Sequence, residues 1–309
     1  MSENDATGQL PGLASPTALQ SALLEQHYLA DEGLATVAFL AVRMARPLFL
    51  EGEPGAGKTE LARALSLVTG GELIRLQCYE GIDVAQSLYE WDYSRQLLHL
   101  RASESRGGAA IGEVEDEIYS ERFLVRRPLL RALAAGADEA RPVLLIDEID
   151  RADDEFEAFL LELLSEYAVT IPELGTIRAT TPPIVVLTSN RTRDVHDALK
   201  RRSLYHWVEH PDFEREVAIV TTRLPQVDVG LARQVTAAVQ AMRELALYKP
   251  PGVAETIDWT ESLVLLGHRA LDAKVAEETL GVVLKYREDA DLVRREGLSE
   301  IERRAAARA

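Results

Sequence analysis

Pro47-Leu-Phe-Leu-Glu-Gly-Glu-Pro-Gly-Ala-Gly-Lys58-Thr59 is the stretch that decides the fold. Its first half is an apolar run of strand length. From Gly52 it fits G-x-x-x-x-G-K-[ST], a loop whose backbone N–H groups close on phosphate oxygens. Glycines serve there because main chain must approach an anion with no Cβ in the way. Lys58 to Val68 then carries helical periodicity, so strand, loop and helix follow in the order a phosphate loop requires. The pattern assigns Gly52, Glu53, Pro54, Gly55, Ala56, Gly57, Lys58, Thr59 and Glu60 to nucleotide binding. Lys58 would reach the β- and γ-phosphates of ATP, and the Thr59 hydroxyl would ligate Mg²⁺.

Working outward, further strands are expected at Glu72 to Gln77, Pro142 to Ile146 and Pro183 to Thr188, with helical segments at Pro128 to Ala135 and Asp154 to Tyr167. Residues 143–146 (VLLI) and 184–187 (IVVL) are continuous apolar runs rather than alternating ones, as strands buried on both faces should be. Alternating strands and helices predict an α/β fold with a parallel sheet sandwiched by helices. Upstream, Thr17 to Ala45 reads as two short helices. After Pro211 the strand signals stop, and the remainder is helix-compatible, punctuated by Pro225, Gly230 and Lys249-Pro-Pro-Gly252. The expected organisation is a lead-in over 1–16, an α/β ATPase domain over 17–211 and an all-helical domain over 212–309.

The second half of the site falls on the two buried runs. Val143-Leu-Leu-Ile-Asp147-Glu148 ends with two adjacent carboxylates at the edge where parallel sheets bind ligands. Asp147 suits Mg²⁺ held through its water shell, and Glu148 suits polarising the attacking water. Thr188-Ser189-Asn190 ends the next strand, which makes Asn190 the candidate sensor of the γ-phosphate. Asp197-Ala-Leu-Lys-Arg201-Arg202 gathers three cations; either arginine could serve a neighbouring subunit's γ-phosphate as an arginine finger.

Composition narrows the class. The 309 residues carry 51 acidic and 34 basic side chains, a net charge of −17, with 47% hydrophobic residues. That describes a folded globular protein and argues against duplex nucleic acid or an anionic membrane as partner. The one cysteine, Cys78, cannot form an internal disulfide and reads as a small buried hydrophobe. Residues 1–16 have no basic or apolar targeting pattern. The longest apolar stretch, Leu34 to Ala45, is broken by Arg43 and falls short of the roughly 20 residues of a membrane span. A cytoplasmic location with no integral membrane segment is the expectation. Ala102 to Gly112 reads as a mobile surface loop followed by an acidic run over 113–121, and 301–309 as a short basic helical end.

With these motifs in this order, the sequence resembles the AAA+ ATPases, and within them the MoxR-like group. Leu73 to Leu98, Leu144 to Glu166 and Val169 to Trp207 are similar to the CoxD type, chaperone ATPases associated with molybdenum-containing carbon monoxide dehydrogenase and related hydroxylases. The resemblance covers about two thirds of the chain. It implies a homo-oligomeric ring, a hexamer, that hydrolyses ATP with Mg²⁺ to remodel or mature a client protein, and a partner carrying a von Willebrand factor A domain. Carried onto this chain, Asn190 is sensor 1 and Arg202 aligns best with the finger, Arg201 standing beside it as the alternative. Tyr28 and Leu29 fall where the family packs adenine. The helical tail resembles the family's lid, but its expected sensor 2 region, Glu255 to Glu261, holds no arginine.

Overall fold

The computed structural model describes residues 13–104, 117–136 and 140–296. Among these, nine strands occur: β1 (Leu48–Gly52), β2 (Leu73–Gln77), β3 (Tyr89–Trp91), β4 (Leu124–Arg126), β5 (Val143–Asp147), β6 (Ala168–Ile171), β7 (Gly175–Arg178), β8 (Ile184–Ser189) and β9 (Leu204–Val208). Five form one sheet in the order β2-β5-β8-β1-β9. The parallel register sets Val143 beside Ile184, Leu48 beside Val186, and Glu51 beside Ser189. The C-terminal ends of β5, β8 and β1 therefore share one edge. The predicted parallel α/β sheet is present, and its two most apolar runs are β5 and β8, buried along their whole length. Each Val, Leu or Ile buried there contributes about 1.5–3 kcal/mol.

Two short antiparallel pairs, β3 with β4 and β6 with β7, stand outside that sheet, and neither was expected from the sequence, nor was β9. Strands of three or four residues carry too little periodicity to stand out, the apolar run of β9 (LYHWV) is broken at His206, and β3 and β4 find each other across more than thirty intervening residues.

The chain divides into two compact units. One takes the chain up to Ala22, Glu32–Glu51 and Leu61–His206; its core joins Phe49, Ile74, Leu144, Ile146, Phe156, Leu160 and Leu187. The other takes Leu23–Asp31, Gly52–Glu60 and the chain from Trp207. Its five long helices are Phe213–Arg223, Val229–Arg243, Val253–Leu265, Ala273–Val283 and Arg287–Glu296. They pack around Leu231, Val235, Met242, Leu263, Leu280 and the fully buried Trp259, whose indole N–H donates to Thr279 Oγ1 at 2.7 Å. Of the expected lead-in, residues 1–12 lie outside the described residues, while Leu13 is buried and Pro16 opens the first helix, Pro16–Glu25. Of the expected surface loop, Ala102 to Glu104 end the helix Tyr93–Glu104, and residues 105–112 lie outside the described residues, as do 113–116 of the acidic run and the basic end at 301–309.

Candidate functional site

In the unit built on the sheet, β5 runs out at Asp147 and the backbone turns sharply. Glu148 adopts φ 56°, ψ 51°, a left-handed conformation that costs a non-glycine residue about 1 kcal/mol or more. The turn is held by Thr188 on the adjacent strand. Its Oγ1 donates to Asp147 Oδ1 at 2.5 Å and accepts the Glu148 backbone N–H at 2.9 Å. One buried hydroxyl thus fixes both carboxylate residues. Glu148 Oε1 accepts from Asn190 Nδ2 at 3.2 Å, and Oε2 accepts from Gln77 Nε2 at 3.1 Å. Asn190 is in turn anchored through its backbone N–H to Asp150 Oδ1 at 3.2 Å. Asp147, Glu148 and Asn190, separated by up to 43 positions in sequence, are brought into one hydrogen-bonded group at the sheet edge.

Both acids also meet cations of their own chain. Arg75 on β2 donates from Nε and Nη2 to Asp147 Oδ2 at 3.0 and 2.6 Å. Arg151 Nε lies 2.9 Å from Glu148 Oε2. Neither arginine was singled out in the sequence; Arg75 pairs with a residue 72 positions away, and nothing local announces such a contact.

Arg201 and Arg202 do not join this group. They end the helix Asp197–Arg202, and the following Leu204 N–H donates to Pro47 O at 2.7 Å, just before β1 begins. Arg46 secures that end, its Nε donating to Arg202 O at 3.1 Å and its Nη2 to Arg201 O at 2.9 Å. Arg202 itself donates to Leu161 O at 3.1 Å and to Ser165 Oγ, and with Arg46, Pro47, Tyr167 and Leu199 it lines a cleft of about 360 Å³. This is the edge where β1 starts, whereas Glu148 stands where β5 ends. A five-residue strand spans roughly 16 Å, beyond the reach of one arginine side chain. Arg201 is largely exposed and lies 4.0 Å from Asp197. The third cation of the cluster, Lys200, turns inward to the buried Glu51, at 3.6 Å.

In the other unit, the phosphate loop has its glycines in conformations that need them: Gly55 at φ 75° and Gly57 at φ 89°. Lys58 is buried, and its Nζ donates to Gly52 O at 2.7 Å and Glu53 O at 2.8 Å. Thr59 is exposed one residue on, and the Glu60 carboxylate lies 2.8 Å from Arg223 Nη1. Pro54 and Ala56 complete the loop, with the Ala56 N–H donating to Glu53 O at 3.3 Å. Tyr28 is buried beside it: a Cβ on Gly57 would come 3.9 Å from the Tyr28 ring. Burial holds the Tyr28 phenol far above its ordinary range, so it stays protonated. Leu29 contributes a carbonyl that accepts Arg215 Nη2 at 2.9 Å. The start of the helix Val253–Leu265, where no arginine stands, abuts the loop instead through main chain, Val253 N–H donating to Gly55 O at 3.1 Å. His210 also belongs to this unit; burial and Arg243 lower its pKa, which keeps the imidazole neutral.

The AAA domain model of the dynein-related subfamily matches residues 47–203, just over half of the 309. The chain belongs to this family. The match begins at β1 and ends just after Arg202, so it spans the phosphate loop, the acidic pair, Asn190 and the arginine cluster of this AAA+ ATPase. No curated protein matches the chain significantly. Among solved structures, the RuvB Holliday junction branch migration motor of Thermotoga maritima is 15% identical, covering 89% of this chain and 74% of its own at a TM-score of 0.47. A protein of Cytophaga hutchinsonii provisionally named an ATPase is 14% identical, covering 96% and 97% at 0.46. Among the described residues no helix is long and apolar enough to cross a membrane.

Proposed function

We propose that the chain is an ATP-hydrolysing AAA+ chaperone that works as a homo-oligomeric ring, six-membered by the resemblance, to remodel or mature a protein client. The observation that carries the catalytic part is the arrangement around Glu148: a carboxylate at a strand tip, fixed by the Thr188 hydroxyl and touching the Asn190 amide. The division of labour follows an ATPase core to Pro211 and a helical lid over 212–309.

Each residue has a chemical assignment. The loop Gly52 to Glu60 binds the phosphates through main-chain N–H groups, with Lys58 exchanging its carbonyl partners for phosphate oxygens. Glu148 takes the proton of the attacking water, and Asn190 orients that water. Tyr28 and Leu29 flank the base. Asp147 and Thr59 present a carboxylate and a hydroxyl, hard oxygen donors of the kind Mg²⁺ prefers. Bound there, the metal would supply neutralisation of phosphate charge. Arg202, at the opposite edge of the sheet from Glu148, acts on the nucleotide of the next subunit, with Arg201 as the alternative donor.

The client is proposed from the resemblance to the CoxD type: a molybdenum-containing hydroxylase or carbon monoxide dehydrogenase-type enzyme in the cytoplasm, with a von Willebrand factor A-domain protein as co-partner. The net charge of −17 favours a protein client over nucleic acid. A second reading, a nucleotide-gated binding module with incidental hydrolysis, is separated by phosphate release. Glu148→Gln should bind ATP yet lose turnover by about 10²-fold or more; undiminished turnover removes the assignment. Co-purification with Glu148→Gln under ATP identifies the client.

A further inference from the structure

Asp147 is 3% exposed, so water does little to compensate its charge, and Arg75 is a cation set directly against it. The guanidinium puts two N–H donors on Oδ2, at 3.0 and 2.6 Å, while Thr188 Oγ1 donates to Oδ1 at 2.5 Å. Arg75 also donates through Nη2 to Gln77 Oε1 at 2.5 Å, and Gln77 Nε2 donates to Glu148 Oε2 at 3.1 Å. One side chain is therefore tied to the carboxylate proposed to face the metal and, through Gln77, to the carboxylate proposed to activate water.

We propose that Arg75 is a positioning residue that serves as a built-in counter-cation for Asp147, displaced when a divalent cation arrives with nucleotide. The inference rests on the ATPase reading above and deepens it. A carboxylate oxygen already accepting two N–H donors cannot offer the same lone pairs to metal-bound water, so guanidinium and metal compete. The competition is winnable because the guanidinium is half in water, the Arg75 side chain being 54% exposed against 4% for Asp147, so a released Arg75 is largely re-solvated and its loss shifts the equilibrium by only about two- to fivefold. Arg75 keeps the buried acid neutralised before loading without blocking the metal. Its release frees a charged side chain on β2, the edge strand of the sheet, and unties Gln77 from it, so the arrival of metal is registered at the rim of the fold as well as at the phosphates.

The test is a titration of a fluorescent ATP analogue against the full-length protein across a Mg²⁺ series, with Mn²⁺ binding followed by electron paramagnetic resonance as a readout free of turnover. Arg75→Leu should lower the Mg²⁺ midpoint by about two- to fivefold. Arg151→Leu, which removes an equally exposed cation from Glu148 instead, should move it less. Arg75→Gln provides the same comparison should the leucine variant fold poorly. Midpoints unchanged in both Arg75 variants, or moved equally by Arg151→Leu, overturn the inference while leaving the ATPase reading intact. Failure of the wild-type protein to bind nucleotide at any Mg²⁺ concentration overturns that reading instead.

Discussion

Gly55 and Gly252 meet main chain to main chain. A Cβ on Gly55 would stand 2.9 Å from Gly252 Cα, and one on Gly252 would stand 2.7 Å from Gly55 Cα. The phosphate loop and the first turn of the helix Val253–Leu265 are thus docked by two absent side chains, and the Val253 to Gly55 hydrogen bond closes the contact. At the start of this helix, where the resemblance would place an arginine, this chain has a backbone junction.

Gly252→Ala tests that junction. The φ of −88° is open to alanine, so the penalty is steric alone. Overpacking of this kind costs about 1–3 kcal/mol, and nucleotide affinity should fall by roughly tenfold while helicity is kept. Fluorescent-nucleotide titration beside circular dichroism provides the measurement; unchanged affinity would show that the junction is idle.

Arg202→Ala should retain nucleotide binding and lose turnover, because its side chain stands at the opposite edge of the sheet from Glu148. Mixed with Lys58→Ala copies, it should recover part of the lost rate. Arg46→Ala removes the guanidinium that holds the carbonyls of Arg201 and Arg202, so its turnover should fall in the same direction but less steeply. Full activity of Arg202→Ala alone moves the finger assignment to Arg201.

The helical unit has a buried ion pair whose disruption should be severe. Glu216 is fully buried and accepts Arg243 Nη1 and Nη2, both at 2.7 Å, with Gln240 and Thr256 completing its shell. Arg243→Leu leaves that carboxylate uncompensated and should cost about 3–5 kcal/mol in denaturant unfolding. Replacing both members, Glu216→Leu with Arg243→Leu, should restore much of the loss. A single variant as stable as the wild type would contradict the burial.

Cys78 supplies a pH prediction. Burial, followed by Asp147 and Asp150, pushes its thiol up to about 12. The folded value lies above that of the unfolded chain, so the contribution to stability is complete below about pH 8.5 and is lost as pH climbs from there. At pH 8 iodoacetamide should leave the folded protein unlabelled and modify it only on unfolding. Rapid labelling of the native protein would refute the burial.

What the sequence made legible follows from locality. β1, its loop and the helix Lys58–Thr69 are contiguous, and the apolar runs in β5 and β8 are long enough to declare themselves. Asp147, Glu148 and Asn190 could be read because each sits at the tip of such a run. Arg75 and Arg46 could not, because their meaning lies in partners 72 and more than 150 residues away. Gly252 stood in plain view in Lys249-Pro-Pro-Gly, read as a break in the helical tail. Its neighbour across the contact could be found only once the chain was folded.

The proposed role of Arg202 would make concentration a control variable. If the finger serves the next subunit, a chain alone holds an incomplete catalyst, and dilution inhibits it as effectively as a drug. Rate per molecule would then climb with protein concentration until rings are full. A few inert copies would silence more than their own number, since each spoils a neighbour as well as itself. Expression level alone could therefore decide whether a cell spends ATP through this protein.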